Sequence, residues 1–236
     1  MATFEDAATM FVIPSGELTL ITRPLREANI LADQLKTAGV PVLIDPLLEV
    51  HAHPEALPDL MGITTLVTTS ANAIHVLAMT SVDRTLPLWC VGEASGATAK
   101  SLGFKNVKIA AGSVQSLLSY LVTEDKNGKI LYLRGDVIRF DLKQALLEKG
   151  YEIQEACLYR TQEAKAFDKK TLQALERQHL RNVLFFSPRT IRIFTSLCHL
   201  HQCVESCRFL RAVCHDSSVM TAAAEEGLPW QEIVLL

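Results

Sequence analysis

An α/β fold built on parallel sheets is what this 236-residue sequence predicts, and three observations predict it. Short β-branched apolar runs alternate with amphipathic stretches almost from end to end, the pattern of repeated βα units. Glycines at 39, 103, 150 and 227 stand where helical patterns stop and a left-handed residue is needed. The chain also matches itself: the spacing from Arg23 to Arg134 is kept from Gly39 to Gly150, and two further strand–loop–helix units pair in the same order.

The elements follow in sequence. Strand-like runs fall at 18–22, 65–69, 88–91, 107–110, 130–134, 151–159, 183–186, 210–214 and 232–236. Helical patterns fall between them at 26–38, 73–79, 97–102, 115–123, 141–149, 170–178, 190–199 and 218–226. Residues 40–53 and 154–162 read as long extended runs related by the repeat, and therefore as connections between two lobes of about 100 residues. Residues 1–16 read as an extension ending in the Pro14-Ser15-Gly16 turn. The repeat alone leaves open whether the lobes are contiguous, split near 125, or exchange segments.

Composition sets limits on function. With 49% hydrophobic residues the chain can bury a large core, so wholesale disorder is excluded. The balance of 23 Lys+Arg against 26 Asp+Glu, net charge −3, excludes a broad basic face for nucleic acid. No apolar run reaches the ~18–20 residues of a membrane span. Glu5 and Asp6 stand where a signal peptide would be basic, so a cytoplasmic protein is expected. The six cysteines make no disulfide framework. Cys198, His199, His201, Cys203, Cys207, Cys214 and His215 crowd one stretch but lack paired zinc spacing, so no metal is expected. Cys203 and Cys207 read as one helical face.

In parallel α/β sheets ligands collect beyond the carboxyl ends of the strands. The loops there are 22–24, 69–72, 92–95, 111–113, 134–136, 187–189 and 215–218, and most join a hydroxyl or a small residue to a helix start. Helix starts offer unpaired N–H groups to carboxylate or phosphate, although Ser, Thr and Asp there are also ordinary caps. Arg23 and Arg134 end buried strands at matched repeat positions, where a guanidinium suits a carboxylate or an interdomain salt bridge. No dinucleotide, P-loop, nucleophile-elbow or HExxH motif occurs, so the chemistry needs shape and charge rather than a coenzyme.

Ile21-Thr22-Arg23-Pro24, Thr69-Ser70-Ala71-Asn72-Ala73, Cys90-Val91-Gly92-Glu93, Leu133-Arg134-Gly135, Leu158-Tyr159-Arg160-Thr161 and Phe185-Phe186-Ser187-Pro188 stand in an order that resembles the uroporphyrinogen-III synthase family. The resemblance spans about 18–236. It implies two similar Rossmann- or flavodoxin-like parallel-sheet domains joined by a two-segment extended hinge. The first would combine 17–46 with 166–236, the second would be 54–157, and 47–53 with 158–165 would be the hinge. It implies dehydration and closure of hydroxymethylbilane, a linear tetrapyrrole with eight carboxylates, with inversion of ring D through an azafulvene and a spiro intermediate. No cofactor is implied. Tyr159 matches the family's cleft tyrosine, the expected general acid. Ser70, Ser95, Ser187 and Ser218 match loop positions that meet substrate carboxylates, and Arg23, Asn72, Gly112, Ser113, Arg134, Gly135, Pro188 and Ser217 complete the expected binding set. His215-Asp216 departs from the family's Gly-x-Thr-Thr pattern. A monomer with transient contact to the preceding deaminase is expected. The other function class is a non-catalytic two-lobed binder of a small phosphorylated or carboxylated ligand.

Overall fold

The computed structural model describes residues 12–123, 128–138 and 140–236. Among these residues the chain forms two compact units. Val50–Thr161 makes one, and the second joins the residues up to Glu49 to Gln162–Leu236.

In chain order the strands are β1 (Leu18–Ile21), β2 (Val42–Ile44), β3 (Leu48–Ala52), β4 (Ile63–Thr68), β5 (Leu88–Val91), β6 (Val107–Ala110), β7 (Lys129–Gly135), β8 (Ile153–Glu163), β9 (Leu180–Phe185), β10 (Arg211–Cys214) and β11 (Glu232–Leu235). The helices are α1 (Leu25–Thr37), α2 (Ala71–Leu77), α3 (Glu93–Ser101), α4 (Val114–Leu121), α5 (Leu142–Leu147), α6 (Lys169–Glu176), α7 (Pro188–Leu200) and α8 (Ser217–Glu225).

One sheet runs β11-β10-β9-β1-β2 and the other β3-β8-β7-β4-β5-β6. The ladders β1–β2, β1–β9, β9–β10, β10–β11, β4–β5, β4–β7, β5–β6 and β7–β8 are all parallel. Under the internal repeat β2, β1, β9, β10 and β11 correspond to β8, β7, β4, β5 and β6, and the two sheets carry them in the same spatial order. β3 is the added edge strand.

Both sheets are covered on both faces, which is why their strands read as nearly continuous apolar runs. Leu20, Val183, Phe185, Ala212 and Cys214 face α6, α7 and α8 through Leu175, Phe194 and Val219. Their alternating neighbours Ile21, Leu184 and Val213 face α1 through Ala28, Leu31 and Leu35. In the other unit Leu66, Leu88, Leu131 and Leu158 meet Ile74 and Leu77 of α2, while Val67, Trp89, Ile130 and Tyr132 meet Leu117 of α4 and Leu146 of α5. Phe194 packs edge-on to Phe185 and Phe167, with ring centroids 5.4 and 5.2 Å apart.

Several expectations need correction. The Pro14-Ser15-Gly16 turn is present, closed by the Glu17 amide donating to the Pro14 carbonyl, but the residue before it is not peripheral. Ile13 is 2% exposed and packs with α1, so at least the last residues of the expected extension belong to the core, while 1–11 lie outside the described residues. Helix α3 begins at Glu93 rather than Ala97, because Gly92 takes φ +78° and turns the chain straight into the helix. Val204–Phe209, which carries Cys207, is a 3-10 turn with Cys203 at its cap, so the two thiols do not share an α-helical face. The run 40–53 is interrupted at Asp45-Pro46-Leu47 and yields two separate strands. Gly39 and Gly150 take φ +77° and +80°, but α6 and α7 are followed by left-handed Gln178 and Gln202, helix stops that no glycine announces.

Candidate functional site

The carboxyl edge of β4, β7 and β8 opens a cavity of about 350 Å³, lined by Thr69, Ser70, Val114, Tyr132, Arg134, Gly135, Val137, Ile138, Phe140 and Tyr159. A bulge positions Tyr159. Ladder partners advance evenly to Arg134 opposite Cys157, then slip so that Gly135 faces Tyr159. One extra residue on β8 thus re-aims the strand's side chains. Leu158 stays fully buried in the core, and the phenol ring lies over Gly135. A Cβ on Gly135 would sit 2.5 Å from the ring, so glycine here makes room for the ring.

Tyr159 Oη and Ser70 Oγ share a hydrogen bond of 2.9 Å. Ser70 also caps α2, accepting from the Asn72 backbone at 3.2 Å. Burial raises the Tyr159 pKa above its ordinary value, the Ser70 hydrogen bond opposing. The phenol therefore remains a proton donor at neutral pH. The strand beyond it is fixed by Asp136, whose Oδ1 accepts from the Thr161 amide at 3.1 Å and hydroxyl at 3.2 Å.

Arg134 lies in this cavity without being a free fork. Its Nη2 donates to Glu155 Oε1 at 3.0 Å and its Nη1 to the Gly135 carbonyl at 2.8 Å, while the buried Nε finds no hydrogen-bond partner. Hydrogen bonding to Arg134 lowers the Glu155 pKa. The salt bridge weighed from sequence thus forms inside one sheet, between β7 and β8, rather than between domains. Val137, Ile138 and Phe140 were missed as lining residues. Their signal is an apolar run in the loop after a strand end, with Val137 and Ile138 exposed at 59% and 42%.

Around the same edge, Ser113 caps α4 through the Ser116 amide, with Gly112 before it at φ +75°. Ser95 falls in the first turn of α3, one place after Ala94, not in the loop expected from the sequence.

In the other unit the matching edge is built from β1, β9 and β10. The Arg23 guanidinium stacks on Phe186, 4.4 Å from the ring centroid, and Phe186 in turn meets the His215 ring at 5.5 Å. Burial lowers the Arg23 pKa, opposed by the Glu27 charge, and an arginine so placed stays charged. Ser187 caps α7 by accepting from Thr190, with Pro188 at the first helical position. Asp216 resolves the departure noted in the last loop. Its carboxylate accepts from the Ser218 and Val219 amides at 2.9 and 3.1 Å and from the Ser218 hydroxyl at 2.6 Å. The first amides of α8, where an anion could sit, are therefore met by the chain's own Asp216 carboxylate.

A family model described as Uroporphyrinogen-III synthase HemD matches residues 29–232. The chain belongs to the uroporphyrinogen-III synthase family. The synthase fold is seen in two solved structures. The uroporphyrinogen-III synthetase of Helicobacter pylori is 18% identical, with a TM-score of 0.59 and 92% of each chain covered. A mutant synthase of the extreme thermophile Thermus thermophilus is 15% identical, with a TM-score of 0.54, 93% of this chain and 92% of that one covered. No curated protein sequence matches this synthase-family chain. Among the described residues no helix is long and apolar enough to cross a membrane.

Proposed function

We propose that the chain converts hydroxymethylbilane to uroporphyrinogen III as a lyase in haem biosynthesis, with Tyr159 as the general acid. The observation that carries this reading is the cavity lining. It offers two phenols, hydroxyls and one guanidinium beside apolar walls, and no carboxylate among the described residues. Such a lining suits flat pyrroles bearing carboxylates, which an acidic lining would repel.

In the first step the Tyr159 phenol gives its proton to the departing hydroxyl as the C–O bond breaks, releasing water. The pyrrole nitrogen supplies the electron pair and the azafulvene forms. Attack by the substituted carbon of ring D gives the spiro centre, which fragments and recloses with the ring inverted. The proton lost on final aromatisation returns to Tyr159, whose raised pKa favours recapture. Ser70 orients the phenol, and Arg134 pairs with substrate carboxylates through the donors that Glu155 leaves. Ser95, Ser113, Gly112, Asn72, Gly135, Arg23, Ser187 and Pro188 add backbone and hydroxyl contacts from the strand ends. The work is positioning and electrostatics. We place the enzyme in the cytoplasm as a monomer, with the linear substrate passed on by transient contact with the deaminase.

The test is incubation with porphobilinogen and its deaminase, followed by isomer analysis of the oxidised product. An active chain turns the product from the type I to the type III isomer; a type I product identical to the deaminase-only control refutes the reading. Tyr159→Phe should fold, bind, and form the type III isomer more slowly, by about 10²-fold or less, the low end of general-acid effects.

A further inference from the structure

The amino-terminal edge of the β11-β10-β9-β1-β2 sheet, opposite to its ligand-facing loops, holds a second cavity of about 400 Å³, lined by Glu17, Arg181, Arg208, Phe209, Arg211 and Gln231. Register brings these residues together. Arg211 opens β10 opposite Asn182 of β9, with Arg181 one residue before it, and Gln231 immediately precedes β11. Three guanidiniums therefore share one small cavity with a single carboxylate.

That carboxylate is already committed. Glu17 Oε2 accepts from Arg211 and from Asn182 Nδ2, while Arg211 Nε donates to Asn182 Oδ1 at 3.0 Å. Asn182 is fully buried and also donates to Thr19 Oγ1 at 3.2 Å, so the Glu17–Arg211 pair rests on a fixed, hydrogen-bonded base. Its charges cancel. Arg208 spends its Nε on Glu205 at 2.6 Å, which leaves its two terminal nitrogens. Arg181 is exposed and makes no ion pair among the described residues. The cavity thus faces solvent with the Arg181 fork, the two terminal nitrogens of the Glu205-paired Arg208, the Gln231 amide and a half-exposed Phe209 floor.

We propose that this edge is a binding site for a small oxyanion carrying two or more phosphate or carboxylate groups. A guanidinium's planar fork matches either group with two parallel hydrogen bonds, and two guanidiniums in one cavity favour a ligand with two such groups over a single one. The volume is that of a small-molecule site. The proposal goes beyond the synthase reaction, because none of these residues belongs to the carboxyl-edge loops.

The experiment is isothermal titration of the full chain with inorganic pyrophosphate and, in a separate arm, with citrate, both against potassium chloride at matched ionic strength. Wild type should bind at least one saturably, with inorganic phosphate weaker, and the arm that binds better tells phosphate from carboxylate chemistry. Arg181→Gln combined with Arg208→Gln should weaken binding at least tenfold, and Gln231→Glu should weaken it independently. Both arginines are exposed, so far-UV circular dichroism should be unchanged, as should type III isomer formation without added anion. No saturable binding by wild type overturns the proposal. So does binding that survives the double arginine variant, since the anion would then sit elsewhere. Loss of isomer formation in wild type would instead refute the synthase reading and leave this site standing.

Discussion

Gly135→Ala tests whether Tyr159 works by position. The backbone there lies outside the left-handed region, so the methyl group acts by bulk alone. It would lie 2.5 Å from Tyr159 Cζ, 2.7 Å from Cε2 and 2.8 Å from the hydroxyl. Carbon atoms ordinarily rest about 3.5–4.0 Å apart, so the outer ring must retreat by about 1 Å. The adjoining cavity leaves room for that retreat, which keeps the overpacking cost at about 1 kcal/mol, the low end of its range. The same movement breaks the 2.9 Å bond to Ser70, a further ~1 kcal/mol. We expect a total loss of about 2 kcal/mol by denaturant unfolding. A misplacement of about 1 Å can cost about 10²-fold in rate, so type III formation should slow by that order while the protein stays folded. In a Tyr159→Ala background there is no ring to displace, and adding Gly135→Ala should change neither stability nor rate further. Equal effects of Gly135→Ala with and without the tyrosine would refute the reasoning.

Gly96→Ala should destabilise by about 1–3 kcal/mol, because its Cβ would meet Ile109 Cδ1 at 2.2 Å, and Ile109→Ala should relieve most of the clash in a double-mutant cycle. Asp216→Ala removes the cap of α8 and should cost about 0.5–2 kcal/mol in urea unfolding. The Asp216 pKa is lowered first by the Ser218 hydroxyl, so its contribution is complete above the unfolded carboxylate value near 3.9 and fades as pH falls through the lower folded value; the variant should lose that acid-side slope. The Tyr159 pKa is raised, so ionising it opposes folding. Stability it supports is complete below about pH 10 and lost as pH climbs above, a limb that Tyr159→Phe should flatten in pH-dependent melting.

Most strands were legible because a sheet covered on both faces writes a continuous apolar run, as at Leu88–Val91 and Val107–Ala110, found at their observed bounds. Strands β2 and β3 merged into one extended run because their break is only the short Asp45-Pro46 signal between apolar residues, and the Leu47 that follows is fully buried. The hydroxyls at 70, 113 and 187 were visible as helix starts, and each caps its helix. The β8 bulge was invisible, since a slip of ladder register leaves no mark on local composition, and with it the pairing of Tyr159 with Gly135. Arg134 could be placed at a strand end, but its partner Glu155 comes from the next strand of the sheet, which only topology reveals. Asp216 looked out of place beside a carboxylate ligand because its hydrogen bonds are local and depend on how the loop folds back.

The strand order of the sheet that starts with Leu18–Ile21 has a consequence for how the chain matures. β1 hydrogen-bonds β2 on one side and β9 on the other, and β9 is made only after the whole of Val50–Thr161. Until then β1 and β2 are a two-strand ribbon, which is marginal alone in water, and the apolar faces of α1 have nothing complete to cover. Val50–Thr161, by contrast, holds all its strands in one stretch. During synthesis Val50–Thr161 can close while β1 and β2 still wait for β9. The segment most exposed to proteases and to misassociation in that interval is therefore 18–44, and a nascent chain stalled once residue 165 has left the ribosomal tunnel should display a protected 50–161 behind a cleavable β1–α1–β2 arm.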